Sequence, residues 1–206
     1  MRKTLSSVVA VVALLAASTS PAAAVDFGIF GSYWDSDDVG SALGLGGRIW
    51  VDINDDLDFE VSAQWLEGFD DNPTLLEPTP LTTFLFRAMV EVDAIPVDLG
   101  LTYSFGDEGQ GFFIGGGGTW AFLDGEIVIT DPALPGGIIE LGGVDDEFGW
   151  YAKLGYEAND LFVDLLYRDL SATAEGLSAV TLPGAGIPST IDIDLSGFQV
   201  SLGWRF

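Results

Sequence analysis

The chain holds no histidine and no cysteine. The side chains most often used as a general base near neutral pH or as a reactive thiolate are therefore missing. Serines are present, but none has an evident base to activate it, so hydrolysis and acyl transfer are not expected and the chain reads as non-enzymatic, with no cofactor. Carboxylates are plentiful, 32 acidic side chains against seven basic ones, for a formal net charge of −25. Acid pairs thus arise from abundance alone. The densest run, Asp52-Ile53-Asn54-Asp55-Asp56-Leu57-Asp58, has the alternating oxygen ligands of a calcium loop. Leu57, however, stands where that loop needs Gly, and no Glu closes it, so an ordinary turn is expected and no metal site is assigned.

Arg2 and Lys3, the apolar run from Leu5 to Ala17 and the small residues Ala22-Ala23-Ala24 read together as a secretory signal peptide over residues 1–24. The apolar run is too short to cross a bilayer as a helix. Residues 25–206 then form one domain, with only five basic side chains against all 32 acids. Such a balance argues against nucleic acid, which calls for Lys and Arg.

Those few basic residues must be positioned by strands. From Val25 onward, segment after segment alternates at period two between clusters of Gly, Asp, Asn and Pro. Eight strands are expected: Val25 to Trp34, Ala42 to Ile53, Leu57 to Leu66, Leu81 to Phe105, Gly111 to Leu123, Glu147 to Glu157, Leu161 to Leu170 and Ile191 to Phe206. The fourth is long and carries Pro96, either as a bulge in one strand or as a turn. The turn reading, with a further strand near Glu126 to Thr130, gives ten strands as the alternative. Helices and closed barrels alone satisfy every backbone polar group in hydrocarbon. No stretch after the signal is apolar enough for a spanning helix, so the fold class is an all-β, closed, antiparallel up-and-down transmembrane barrel. Short periplasmic turns (Asn54 to Asp56, Gly106 to Gln110, Ala158 to Asp160) alternate with mostly longer external loops.

The last strand is the most specific signal. Phe198, Val200, Leu202, Trp204 and Phe206 alternate with Gly197, Gln199, Ser201, Gly203 and Arg205, which predicts a lipid-facing row and an insertion signal. With these sequences in view, the whole of 25–206 resembles the small eight-stranded outer-membrane barrels of the OmpA-barrel and OmpW type. The resemblance rests on Phe27 to Trp34, Ile95 to Phe105, Phe113 to Gly118 and Leu202 to Phe206, taken in order. It implies the bacterial outer membrane as location, outer-membrane lipid and lipopolysaccharide as surroundings, and barrel assembly machinery as a partner during insertion.

If the apolar faces meet lipid, Arg48, Glu60, Lys153, Asp164, Arg168 and Arg205 fall on the inward parity. Buried charges must pair, so a lumen plugged by mutual salt bridges is preferred over a narrow charge-lined path. Arg87 is left without a side. Gly115 to Gly118 lacks the helix and Lys of a phosphate loop and reads as room for close packing. Asp35, Asp37, Asp145 and Asp146 sit at predicted outer rims, weak candidates for divalent cations bridging to lipopolysaccharide phosphates, with solvated loop charge as the plainer account. Ile127, Ile129, Ile138, Ile139, Leu182 and Ile187 make two external loops unusually apolar. Extension of the strands above the membrane is preferred, and a mouth for a small hydrophobic ligand, which the OmpW resemblance implies, is the competing account. Function thus divides between uptake or binding of small solutes at a narrow or plugged barrel and a structural or surface-interaction barrel without transport.

Overall fold

The computed structural model describes residues 24–37, 40–70, 74–75, 87–106, 110–130, 138–141, 146–175 and 190–206, with side chains placed in these ranges outside 68–92, 125–145 and 172–193. The predicted signal peptide before Ala24, Asp145, Leu182 and Ile187 lie outside the described residues. Among the described residues twelve strands are present: β1 (Val25–Ser36), β2 (Gly40–Asn54), β3 (Leu57–Asp70), β4 (Thr74–Leu75), β5 (Arg87–Ser104), β6 (Gly111–Thr130), β7 (Ile138–Leu141), β8 (Glu147–Ala158), β9 (Leu161–Asp169), β10 (Ser171–Glu175), β11 (Thr190–Asp194) and β12 (Gly197–Arg205). Eight of them, in the order β5-β3-β2-β1-β12-β9-β8-β6, close into an antiparallel ring through the β5–β6 pairing. The expected closed eight-stranded up-and-down barrel is the fold found, and no sheet edge is left within it.

Pro96 does not break the fourth barrel strand. Register between β5 and β6 runs from Arg87↔Thr130 to Ser104↔Phe113 without a shift, Pro96 standing opposite Ala121. Toward β3 the ladder passes from Ala63↔Val97 to Leu66↔Ala94 and skips the proline, which has no N–H to give. The irregularity of that pair lies instead between Leu66 and Phe69. Glu126 to Thr130, the extra strand of the ten-stranded alternative, is the upper end of β6, so the predicted boundary at Leu123 falls short.

Above the rim, β7 takes over from β8 as the partner of β6, with Ile129↔Ile139 and Ile127↔Leu141 paired. Ile127, Ile129, Ile138 and Ile139 therefore belong to strand backbone that extends past the barrel. A second extension continues β9 and β12 as the β10–β11 ribbon. It is separated from them at Leu170 and at Leu195-Ser196, where Leu195 N–H still donates to Leu170 O at 2.9 Å but side-chain oxygens take the neighbouring N–H groups. Ser196 N–H donates to Asp194 Oδ1 at 2.9 Å, and Leu170 N–H donates to Ser196 Oγ at 3.1 Å.

The turns have local causes. Asp56 N–H donates to Asn54 Oδ1 at 3.1 Å, closing the β2–β3 turn, and Asn159 and Asp160 take left-handed φ values of 49° and 68°, the pairing a tight two-residue hairpin demands.

Tilt follows from register. A row of directly opposed residues leaves β2 at Trp50 and runs through Glu60, Gly100, Gly117, Tyr151, Arg168, Gly197 and Ser36, to return to β2 at Gly40. The wall is thus strongly sheared, and side chains far apart along the strands come to one level inside. Large residues fill that interior beside glycines. A Cβ added at Gly155 would lie 2.3 Å from Phe113 Cζ, one at Gly203 2.3 Å from Phe162 Cζ, and one at Gly46 2.5 Å from Phe30 Cζ. Gly115, in the predicted close-packing run, leaves room for the Lys153 side chain, and Gly100 leaves room for the Tyr151 hydroxyl.

Candidate functional site: the barrel interior

Alternation sorts the strands cleanly. Phe198, Val200, Leu202, Trp204 and Phe206 all face outward, as do Phe27, Ile29, Leu43, Leu45, Leu99, Leu101 and Leu154. The opposite faces turn inward, and there Arg48, Glu60, Lys153, Asp164 and Arg168 are each no more than 5 % exposed. Four of these form one cluster. Arg48 reaches Asp164 Oδ2 with Nη1 at 2.6 Å and Glu60 Oε1 with Nε at 3.4 Å. Lys153 Nζ pairs with Glu60 Oε2, which also accepts from Thr102 Oγ1 at 2.9 Å. Two cations against two carboxylates leave the cluster neutral, the condition under which burial in an apolar wall is tolerable.

Arg168 forms a separate station nearer the outer end. Its Nη2 lies 2.6 Å from Asp98 Oδ2 and its Nε 3.3 Å from Asp98 Oδ1, a two-point contact that suits the planar guanidinium. Ser62 Oγ donates to the same carboxylate at 3.1 Å, and Gln199 accepts from Arg168 Nη1. Arg205 does not join either group. It sits toward the short turns, with Nη2 2.7 Å from Asp26 and 3.6 Å from Asp58 and Nη1 3.5 Å from Glu157. Below it the lumen widens into a cavity of about 360 Å³ lined by Asp26, Asp52, Asp58, Glu157, Asp160 and Arg205, among others.

Arg48, Lys153, Arg168 and Arg205 each also lie over an aromatic ring. The Arg48 guanidinium carbon is 4.8 Å from the ring centroid of Phe162, 5.0 Å from Phe30 and 5.6 Å from Trp50, while Arg168 is 4.8 Å from Trp34 and Lys153 5.3 Å from Phe113. Desolvated rings add attraction to the cation and exclude water from it. The outer end is closed differently, by the apolar side chains of Leu66, Ala94, Ala121, Leu170 and Leu195, none more than 1 % exposed.

The residues missing from the sequence reading are the partners and the fillers. Asp98, Asp26, Asp58 and Glu157 complete the ion pairs, and Phe30, Trp34, Trp50, Phe113 and Phe162 fill the space. All share the inward parity of their strands, a signal available in the sequence, but parity does not say which acid meets which base. At the rim, Asp35 and Asp37 are exposed, and Asp146 accepts from Leu123 N–H at 3.3 Å. Among the described residues no group of three His, Cys, Asp or Glu side chains is arranged to hold a metal ion.

A closed eight-stranded barrel, apolar and aromatic outside and charge-paired inside, defines a small outer-membrane barrel protein. The chain belongs to the outer membrane protein beta-barrel domain family, whose sequence pattern matches residues 4–206, and with that family goes a place in a bacterial outer membrane. No curated protein matches it in sequence. Among solved structures it is similar to Ail, the attachment invasion locus protein of Yersinia pestis, in complex with the heparin analogue sucrose octasulfate (11 % identity, 89 % of this chain and 97 % of that one, TM-score 0.43). Neisserial surface protein A is similar at 16 % identity over 89 % of this chain and 97 % of its own, with a TM-score of 0.36. The N-terminal β-barrel domain of Pseudomonas aeruginosa OprF is similar at 14 % identity, over 88 % and 96 %, also with a TM-score of 0.36.

Proposed function

We propose that this protein is a closed, non-conducting and non-enzymatic barrel that serves as a scaffold for its external extensions, a structural or surface-interaction component of the outer membrane. The observation that carries this reading is the stack of neutralised layers across the lumen. Arg48 with Glu60, Asp164 and Lys153, then Arg168 with Asp98, are each tied to opposite walls and backed by aromatic rings. An ion entering from the turn side would have to displace charge-assisted bonds in a water-poor space. A small apolar ligand entering from the outer mouth would meet the layer of Leu66, Leu170 and Leu195. The β6–β7 and β10–β11 extensions rise from the rim and are the parts a scaffold would present. Planar-bilayer recording of the refolded barrel tests the reading. Silence from the wild type is expected, together with no uptake of small solutes in proteoliposome swelling. Discrete conductance steps in the wild type would replace this reading with the transport one.

A further inference from the structure

At the turn side, the ends of β2 and β3 put two carboxyl groups face to face. Asp52 and Asp58 are directly opposed in the β2–β3 ladder, and their carboxyls come within hydrogen-bonding reach of each other. Asp58 is only 8 % exposed. Both line the cavity of about 360 Å³ at that end, where Asp26, Glu157 and Asp160 add further carboxylates and Asp55 and Asp56 stand at its exposed edge. Asp58 opposes Thr102, so it stands level with the outward aromatics Tyr103 and Phe105. The pair thus lies at the edge of the hydrocarbon and opens on water in the mouth.

Among the described residues Arg205 is the one cation lining this cavity. It gives Nε and Nη2 to Asp26 at 2.9 and 2.7 Å and reaches Glu157 and Asp58 only at 3.5 and 3.6 Å. From β5 and the turn after it come Ser104 and Gln110, which carry no charge. With both ionised, Asp52 and Asp58 would be like charges directly opposed across a ladder, an unfavourable relation. Two carboxylates cannot hydrogen-bond each other, since neither has a donor. One proton supplies the donor and removes one of the charges. A metal ion would want several oxygen ligands gathered in one place, and among the described residues no such group occurs.

We propose that Asp52 and Asp58 form a proton-binding site at the turn-side mouth, which takes up one shared proton in mildly acidic water and so strengthens the folded barrel. In the unfolded chain both are ordinary carboxyls that ionise near about pH 4. A proton held above that range by the folded state alone makes stability rise as pH falls toward it, and that gain is lost as pH rises past the point where the pair gives up its proton. The turn-side end of the barrel therefore responds to the acidity of the water it faces. The site is independent of whether the lumen conducts.

Urea midpoints of the full barrel in detergent test this at about pH 7.5 and about pH 5, both above the ordinary carboxyl range, with a chelator present throughout. The wild-type midpoint is expected to be higher at the acid pH. Asp58→Asn, whose amide donates to Asp52 without a proton, should raise the midpoint at the higher pH and lose at least half of the wild-type pH difference. Asp52→Asn should act in the same direction. Asp37→Asn, at an exposed acid of the opposite rim, should keep the difference, which separates the site from general relief of the negative charge. Infrared difference spectra between the two pH values should show a protonated carboxyl in the wild type that is missing in Asp58→Asn. Heat-modifiable gel mobility verifies that each variant is folded, and if neither amide variant folds the wild-type spectrum decides alone. A wild-type midpoint no higher at the acid pH, no protonated-carboxyl band, or a pH difference kept in full by folded Asp58→Asn overturns the proposal.

Discussion

Arg48 on β2 and Asp164 on β9 meet at 2.6 Å across the lumen, although β1 and β12 stand between their strands in the wall. The contact ties opposite sides of the barrel, so its loss should be felt by the whole fold. Replacing Arg48 by Ala leaves Glu60 short of a partner and Asp164 buried without one. A cost of about 3–5 kcal/mol is expected, read as a shift in the urea midpoint of the barrel in detergent. The double variant Arg48→Met, Asp164→Leu should cost less than the sum of its two single changes, since both charges leave together. Strict additivity would mean that the pair is not coupled.

Interior packing of ring against glycine gives a size-exchange test. Gly155→Val places atoms where the Phe113 ring now lies, and about 1–3 kcal/mol of destabilisation is expected. Adding Phe113→Leu to that variant should recover part of the loss. Full tolerance of Gly155→Val alone, measured by heat-modifiable mobility and urea midpoint, would show that the ring has room to move.

Asp93 on β5 and Asp124 on β6 are directly opposed. Like charges in that relation are unfavourable. Asp124→Lys should therefore raise stability by about 0.2–1 kcal/mol at low ionic strength, a gain that shrinks in high salt. A gain independent of salt would point to a cause other than the charge pair.

The outward row of β12 ends on Phe206, whose backbone N–H donates to Phe27 O at 2.8 Å and whose carbonyl accepts from Phe27 N–H at 3.1 Å. Phe206→Ser preserves these backbone bonds. If the row is read during insertion, the variant should accumulate poorly in the outer membrane of cells yet refold into detergent with a stability close to wild type. Equal losses in both settings would assign Phe206 to the fold alone.

Much of this was legible in the chain because a strand has a period of two. Alternation through Leu99, Leu101 and Tyr103 against Asp98 and Thr102, and through the last strand to Phe206, fixes which side chains face lipid and which face the lumen, whatever the neighbours are. The absence of His and Cys and the scarcity of basic residues likewise need no coordinates. The same reasoning put Arg48, Lys153 and Arg168 inside, since a period-two strand allows only two faces.

Partnership was not legible. Whether Arg168 meets Asp98 or Asp164, and why Arg205 stands apart with Asp26, Asp58 and Glu157, depends on strand order and on the shear of the ring, which bring residues distant in sequence to one level. The upper strand ends also escaped the sequence, because β6 passes from β8 to β7 as its partner only where the tertiary pairing offers one. Periodicity is a property of each strand and could be read from the chain, whereas register, closure and the charge pairs that fill the lumen are relations between strands and exist only once the barrel has closed.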